Sequence, residues 1–130
     1  MEEIVFNPSE KPTVGVEIEA QLVDKDSGNL VNIAEGIINT YDNDERVKHE
    51  LYLSTVEVTS SPLLDTNETY KELATILSKV LEIVSENNAG LISTGAHPFA
   101  MYEDQVITDV NPRYQDCLLY TSDAADEVLG

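Results

Sequence analysis

Glu17 and Glu19 stand two residues apart in TVGVEIEAQLV (13–23), Glu57 lies within LSTVEVTSSP (53–62), and His97 closes LISTGAH (91–97). Carboxylates and an imidazole are side chains that hold divalent cations. Mg²⁺ takes hard oxygen ligands in octahedral geometry and often keeps substrate phosphates in its shell, while Mn²⁺ tolerates the imidazole better. Two carboxylates on neighbouring positions of one strand face repel, and a divalent cation between them reverses that sign. A metal site built from Glu17, Glu19, Glu57 and His97 is therefore the sharp reading. Each residue alone also fits a blander one: a solvated glutamate on an exposed face, or a hydrogen-bonded histidine before a proline. Convergence of three separate segments is what favours the metal, and convergence depends on the elements that carry them.

Val14, Val16, Ile18, Ala20 and Leu22 alternate with polar residues, which predicts a strand over 12–23. DKDSGN (24–29) is turn chemistry, and Leu30–Asn32 can return as a short partner strand. Residues 1–11 read as an irregular lead-in, 33–41 as weakly helical or loop, and 42–48 as polar and exposed. Alternation resumes over 50–62 and predicts a second long strand ending at Pro62. A helix is expected over 66–88, capped by Asp65 or Thr66 with Glu68 completing a capping box. Its apolar stripe is Tyr70, Leu73, Ala74, Leu77, Val80, Leu81 and Val84, and Asn87–Gly90 supplies the stop. A third strand over 91–97 ends at Pro98, and 99–116 shows few clear patterns. The order strand, strand, helix, strand argues for an α+β fold with the helix packed on one sheet face. Strand parity then places Glu17, Glu19, Glu57 and His97 on the other face. Glu50 falls on the Val56 face unless a bulge intervenes.

The 130 residues suit one domain, with no internal repeat and no linker, and 42% are hydrophobic. Seven basic residues against 25 acidic give a net charge of −18. Such a chain repels phosphate backbones and anionic lipid, so nucleic-acid binding and membrane association are not expected. Most of the acidity reads as a solvated surface, and a site needs only a few of these carboxylates. No run of 18 apolar residues offers a membrane span, and MEEIVFNPSEKP lacks the features of a secretory signal, so a cytoplasmic location is the default. The single Cys117 cannot form an internal disulfide. DKDSGNLVNIAE (24–35) imitates a calcium loop, but its glycine falls at position five rather than six and its flanks are not clear helices. No phosphate-cradling glycine loop, dinucleotide fingerprint or serine-triad signature is present.

Taken together, TVGVEIEAQLVDKDSGNL, LSTVEVTSSP and STGAHPFAMYEDQVITDVNPRY resemble the glutamate–cysteine ligase family of the carboxylate–amine ligase type, over about residues 12–116. That resemblance implies part of a catalytic domain like those of glutamine synthetase and the guanidino kinases, with an antiparallel sheet whose open face carries the active site. It implies ATP and Mg²⁺, or Mn²⁺, as cofactors. Its substrates would be a small carboxylate (the γ-carboxyl of glutamate) and an amine (that of cysteine), joined through an acyl phosphate. Carried over by position, Glu17, Glu19 and Glu57 match metal-binding glutamates and His97 a histidine ligand, while the match of Glu50 is weaker. Arg113 matches a family arginine suited to phosphate or substrate carboxylate, because its fork can bind bidentately. Family catalytic domains continue well past residue 116. CLLYTSDAADE (117–127) departs from their pattern and resembles a translated sequencing adapter, so 1–116 reads as the N-terminal part of one ligase domain and 117–130 as a non-native tail. The alternative for the tail is a genuine helix capped by Ser122. A piece of this kind is expected to be inactive alone. Competing expectations are a non-catalytic acidic interaction domain and, by fold analogy only, phosphotransfer to a guanidino group.

Overall fold

The computed structural model describes residues 10–41 and 44–129, so most of the expected lead-in lies outside the described residues. In chain order the elements are β1 (Glu17–Asp24), α1 (Ala34–Thr40), β2 (Val47–His49), β3 (Thr55–Thr59), α2 (Thr66–Glu86), β4 (Ala89–Ile92), a 3₁₀ turn (Tyr102–Asp104) and α3 (Pro112–Leu129). All strand pairs are antiparallel, in the order β2-β3-β1-β4. This is the α+β architecture expected, with helices against one sheet face.

The strands are shorter than alternation suggested. Ahead of β1, Val14 makes only an isolated bridge to Leu63. The 50–62 strand shrinks to β3 because the chain turns at Tyr52–Thr55, where the Thr55 amide donates to the Tyr52 carbonyl at 3.0 Å. Of the polar segment 42–48, expected to be exposed, 42–43 lie outside the described residues, and 44–46 lead into β2, whose Val47 is buried opposite Val58. β4 starts and stops earlier than expected, leaving 93–101 as a loop. The short return after the first turn is a single bridge, Val23 to Leu30.

Asp65 caps α2 by accepting from the Asn67 and Glu68 amides at 2.7 and 3.2 Å. The buried stripe of α2 is Thr69, Leu73, Ile76, Val80, Ile83 and Val84, rotated from the expected one, so that Tyr70 and Leu81 are exposed. The core joins this stripe to Ala20 and Leu22 of β1, Val47 of β2, Val56 and Val58 of β3, and Ala34, Ile37 and Ile38 of α1. Burying each large aliphatic side chain is worth about 1.5–3 kcal/mol. No described helix is long and apolar enough to cross a membrane. α3 begins at Pro112 and runs without interruption through Asp116–Cys117, so Ser122 lies inside a helix rather than at its start.

Candidate functional site

Register decides which side chains share a face. Glu19 is directly opposite Glu57, Glu17 opposite Thr59, Gln21 opposite Thr55, and Lys48 opposite Glu57. Ala20, Leu22, Val56 and Val58 fill the covered face, so Glu17, Glu19 and Glu57 all project from the open one. Glu19 and Glu57 form a cross-strand pair, with Cβ atoms about 4.5–5.5 Å apart as such pairs are. The row continues to Lys48, whose Nζ lies 3.1 Å from Glu57 Oε1. This ammonium offsets part of the repulsion between the carboxylates.

Beside the row is a cleft of about 480 Å³ whose lining includes Glu19, Glu50, Thr55, Thr94, His97 and Gln105. Glu50 arrives there without a bulge. β2 ends at His49, the chain turns, and the Glu50 carboxylate accepts from the Leu51 amide. The segment 106–108 braces this turn: the Leu53 amide donates to the Val106 carbonyl at 2.9 Å and the Thr108 amide to the Leu51 carbonyl at 2.8 Å. Buried Thr108 adds its hydroxyl, donating to the Glu50 carbonyl at 2.6 Å.

His97 lines the cleft from the loop after β4, with both ring nitrogens engaged. Nδ1 accepts from the Ala100 amide at 3.0 Å and from the Phe99 amide at 3.4 Å. With Nδ1 accepting, Nε2 carries the proton and donates to the Gly28 carbonyl at 2.9 Å. Phe99 meets the imidazole edge-on, with centroids 4.5 Å apart. Gly28 sits at φ +71°, and a Cβ there would lie 3.4 Å from the Phe99 ring. The Asp24–Asn29 turn that imitates a calcium loop has its own use for its first carboxylate. Asp24 Oδ1 accepts from the Asp26 and Ser27 amides and the Ser27 hydroxyl, and the Ser27 amide is the chief cause holding its pKa below the usual value.

The structure thus brings Glu17, Glu19 and Glu57 onto one face and Glu19, Glu50 and His97 around one cleft. Arg113 is exposed in the first turn of α3 and does not line that cleft. Among the described residues, no three His, Cys, Asp or Glu side chains close on a common point that could hold a metal. Two carboxylates do suit Mg²⁺, which is usually bound through one or two carboxylates plus substrate phosphates and retained waters rather than by an all-protein cage. Sequence reasoning did not single out Lys48 or Tyr114. The alternation Val47–Lys48–His49 carried a signal for Lys48, being buried, exposed and half-buried in turn. The Tyr114 phenol donates to the His49 carbonyl at 3.1 Å, and burial, then the charges of Glu50 and Glu57, raise its pKa.

Other carboxylates serve the fold. Asp44 and Glu72 hold Arg46 at 2.6 and 3.0 Å, and Glu72 also accepts from the Ser61 amide and hydroxyl at 2.8 Å. Hydrogen bonding from the Arg46 side chain lowers the Asp44 pKa to about 2.

The family model described as glutamate-cysteine ligase family 2 matches residues 13–126. Over 118 residues the chain is 39% identical to a Mycolicibacterium vanbaalenii protein provisionally named glutamate–cysteine ligase 2-1, covering 91% of this chain and 31% of that protein. A Mycobacterium ulcerans protein provisionally named glutamate–cysteine ligase 2 is 38% identical over 91% of this chain and 30% of its own length. A Mycobacterium tuberculosis protein with the same provisional name is 36% identical, with 91% and 31% covered. The chain therefore spans about a third of the length of the curated relatives it matches.

Proposed function

This chain belongs to glutamate-cysteine ligase family 2, and from that premise we propose that it supplies one wall of the active site of an ATP-dependent carboxylate–amine ligase. In the reaction proposed, an oxygen of the glutamate γ-carboxylate attacks the terminal phosphorus of ATP and ADP leaves. The amine of cysteine then attacks the acyl carbon, phosphate leaves, and an amide remains. The observation that carries the reading is the Glu19–Glu57 pair on the open face, with Glu17 on the same face and the His97 cleft adjoining.

Glu19 and Glu57 would hold Mg²⁺ or Mn²⁺, and Glu17 and Glu50 would add charge at either side. A cation held there would supply positive charge to offset the negative charge of a transferring phosphoryl group. His97 holds the cleft wall through its three hydrogen bonds. Arg113 is chemically suited to a phosphate or substrate carboxylate, and it would act from the exposed first turn of α3 rather than from within the cleft. The chain spans about a third of the length of its curated relatives, and alone it should bind a cation weakly and not turn over. A calorimetric Mn²⁺ titration should show saturable binding that the double variant Glu17→Ala, Glu57→Ala abolishes. Equal heats from both proteins would defeat the proposal.

A second reading has its own observation. Ile18, Tyr70, Leu77 and Leu81 line an apolar groove of about 430 Å³ beside α2, and an uncovered groove of that kind suits protein contact. That function would be indifferent to chelators, whereas the ligase reading requires sensitivity to them.

A further inference from the structure

Lys48 is the only lysine or arginine within the four strands. Register sets it at one end of the row Lys48–Glu57–Glu19, where it faces the carboxylate with the closest claim on a cation. Its side chain is 46% exposed and that of Glu57 only 16%. The carboxylate is thus largely covered, while the ammonium hangs on a flexible four-carbon stem that is nearly half open to solvent.

A divalent cation between Glu19 and Glu57 would share the Glu57 oxygens with this ammonium. Two positive centres that close repel, and the doubly charged ion attracts the carboxylates more strongly than the singly charged one. Lys48 must then leave Glu57, and in leaving it becomes an unpaired cation beside the metal. A phosphate group is the ligand that satisfies both: its oxygens complete the shell of a Mg²⁺-type ion and also accept from an ammonium. We propose that Lys48 is an exchangeable counter-ion of this face, neutralising Glu57 while no divalent cation is bound and turning to a nucleotide phosphate once one is. This rests on the reading of the open face as a cation site and adds to it a phosphate-binding residue that also sets the cation affinity.

Two affinities should move in opposite directions. In the 130-residue chain, Lys48→Ala and Lys48→Gln should bind Mn²⁺ alone at least threefold more tightly than the parent by calorimetry, because the competitor is gone. At saturating Mn²⁺ both should bind β,γ-imido ATP at least tenfold more weakly, and Lys48→Arg should recover most of that loss. A residue that only supports the fold would weaken both together, and that result overturns the proposal. Tighter Mn²⁺ with unchanged analogue binding overturns it too, since Lys48 would then be a counter-charge and nothing more. If the parent takes up no Mn²⁺, the cation reading itself falls and takes the Lys48 role with it. Normal Mn²⁺ uptake with neither affinity altered in the variants removes the Lys48 role alone. Lys48→Gln retains much of the apolar stem, so it keeps the test valid if the alanine variant folds poorly.

Discussion

Along β1 and β3, Ala20, Leu22, Val56 and Val58 are buried in the core, while one residue away Glu17, Glu19 and Glu57 project from the opposite side of the same backbone. The covered face has α1 and α2 against it, and its one acidic position, Asp24, stands at the end of β1 with its carboxylate turned to the Ser27 amide and hydroxyl. The open face has four charges of mixed sign within three strands, and a cleft at its edge. Stability is therefore concentrated on one face, and the other is left free to carry arrangements that a fold selected for stability alone would avoid, such as two glutamates directly opposed.

Substitutions on the two sides should separate these roles. Leu22 is fully buried, and Leu22→Ala should lower the unfolding free energy in urea by about 3 kcal/mol through lost transfer and a residual cavity. A change below about 1 kcal/mol would mean that the covered face is loosely packed. Glu19→Gln should do the reverse on the open face, raising stability by a few tenths of a kcal/mol as the like-charge pair is broken. That gain should fade in about 1 M salt, where the screening length falls to about 3 Å. A destabilising result would show that Glu19 supports the sheet.

The smallest effect lies at the seam, where Asp44, Arg46 and Glu72 tie the approach to β2 onto α2. Asp44 has a folded pKa of about 2 against an ordinary value of 3.8, so its contribution is present above the ordinary value and is lost as pH falls through about 2. The pair is partly open to solvent and the contribution correspondingly modest. Acid titration of Asp44→Asn should therefore show a shallower loss of stability between about pH 4 and pH 2 than the parent, and identical slopes would count against the network.

The covered face was the easier to read in sequence. Alternation found the cores of β1 and β3, and the capping signal placed the start of α2 at Thr66 while leaving Asp65 and Thr66 as alternative caps, of which the structure uses Asp65. The facing of α2 was not legible, because apolar residues cover more than one stripe of it. Leu73, Val80 and Val84 belong to both candidate stripes, and only packing on the sheet selects Ile76 and Ile83 over Tyr70 and Leu81. β2 was hidden because three residues give alternation almost no length, and its single buried Val47 lies among charges. The carboxylate row was legible from parity alone, since period two fixes the face whatever the exact strand ends. Glu50 was assigned to the wrong side because the rule was carried through a turn.

The imidazole of His97 is already spoken for. Its two nitrogens stitch the β1 turn to the far wall of the cleft through Gly28, Phe99 and Ala100. Any ion that recruits this ring must first unfasten at least one of those stitches, so coordination by His97 and opening of the wall would be a single event. Affinity at that nitrogen would then report how easily residues 93–101 part from the turn, and a substitution that slackens the seam without touching a ligand would change what the cleft holds.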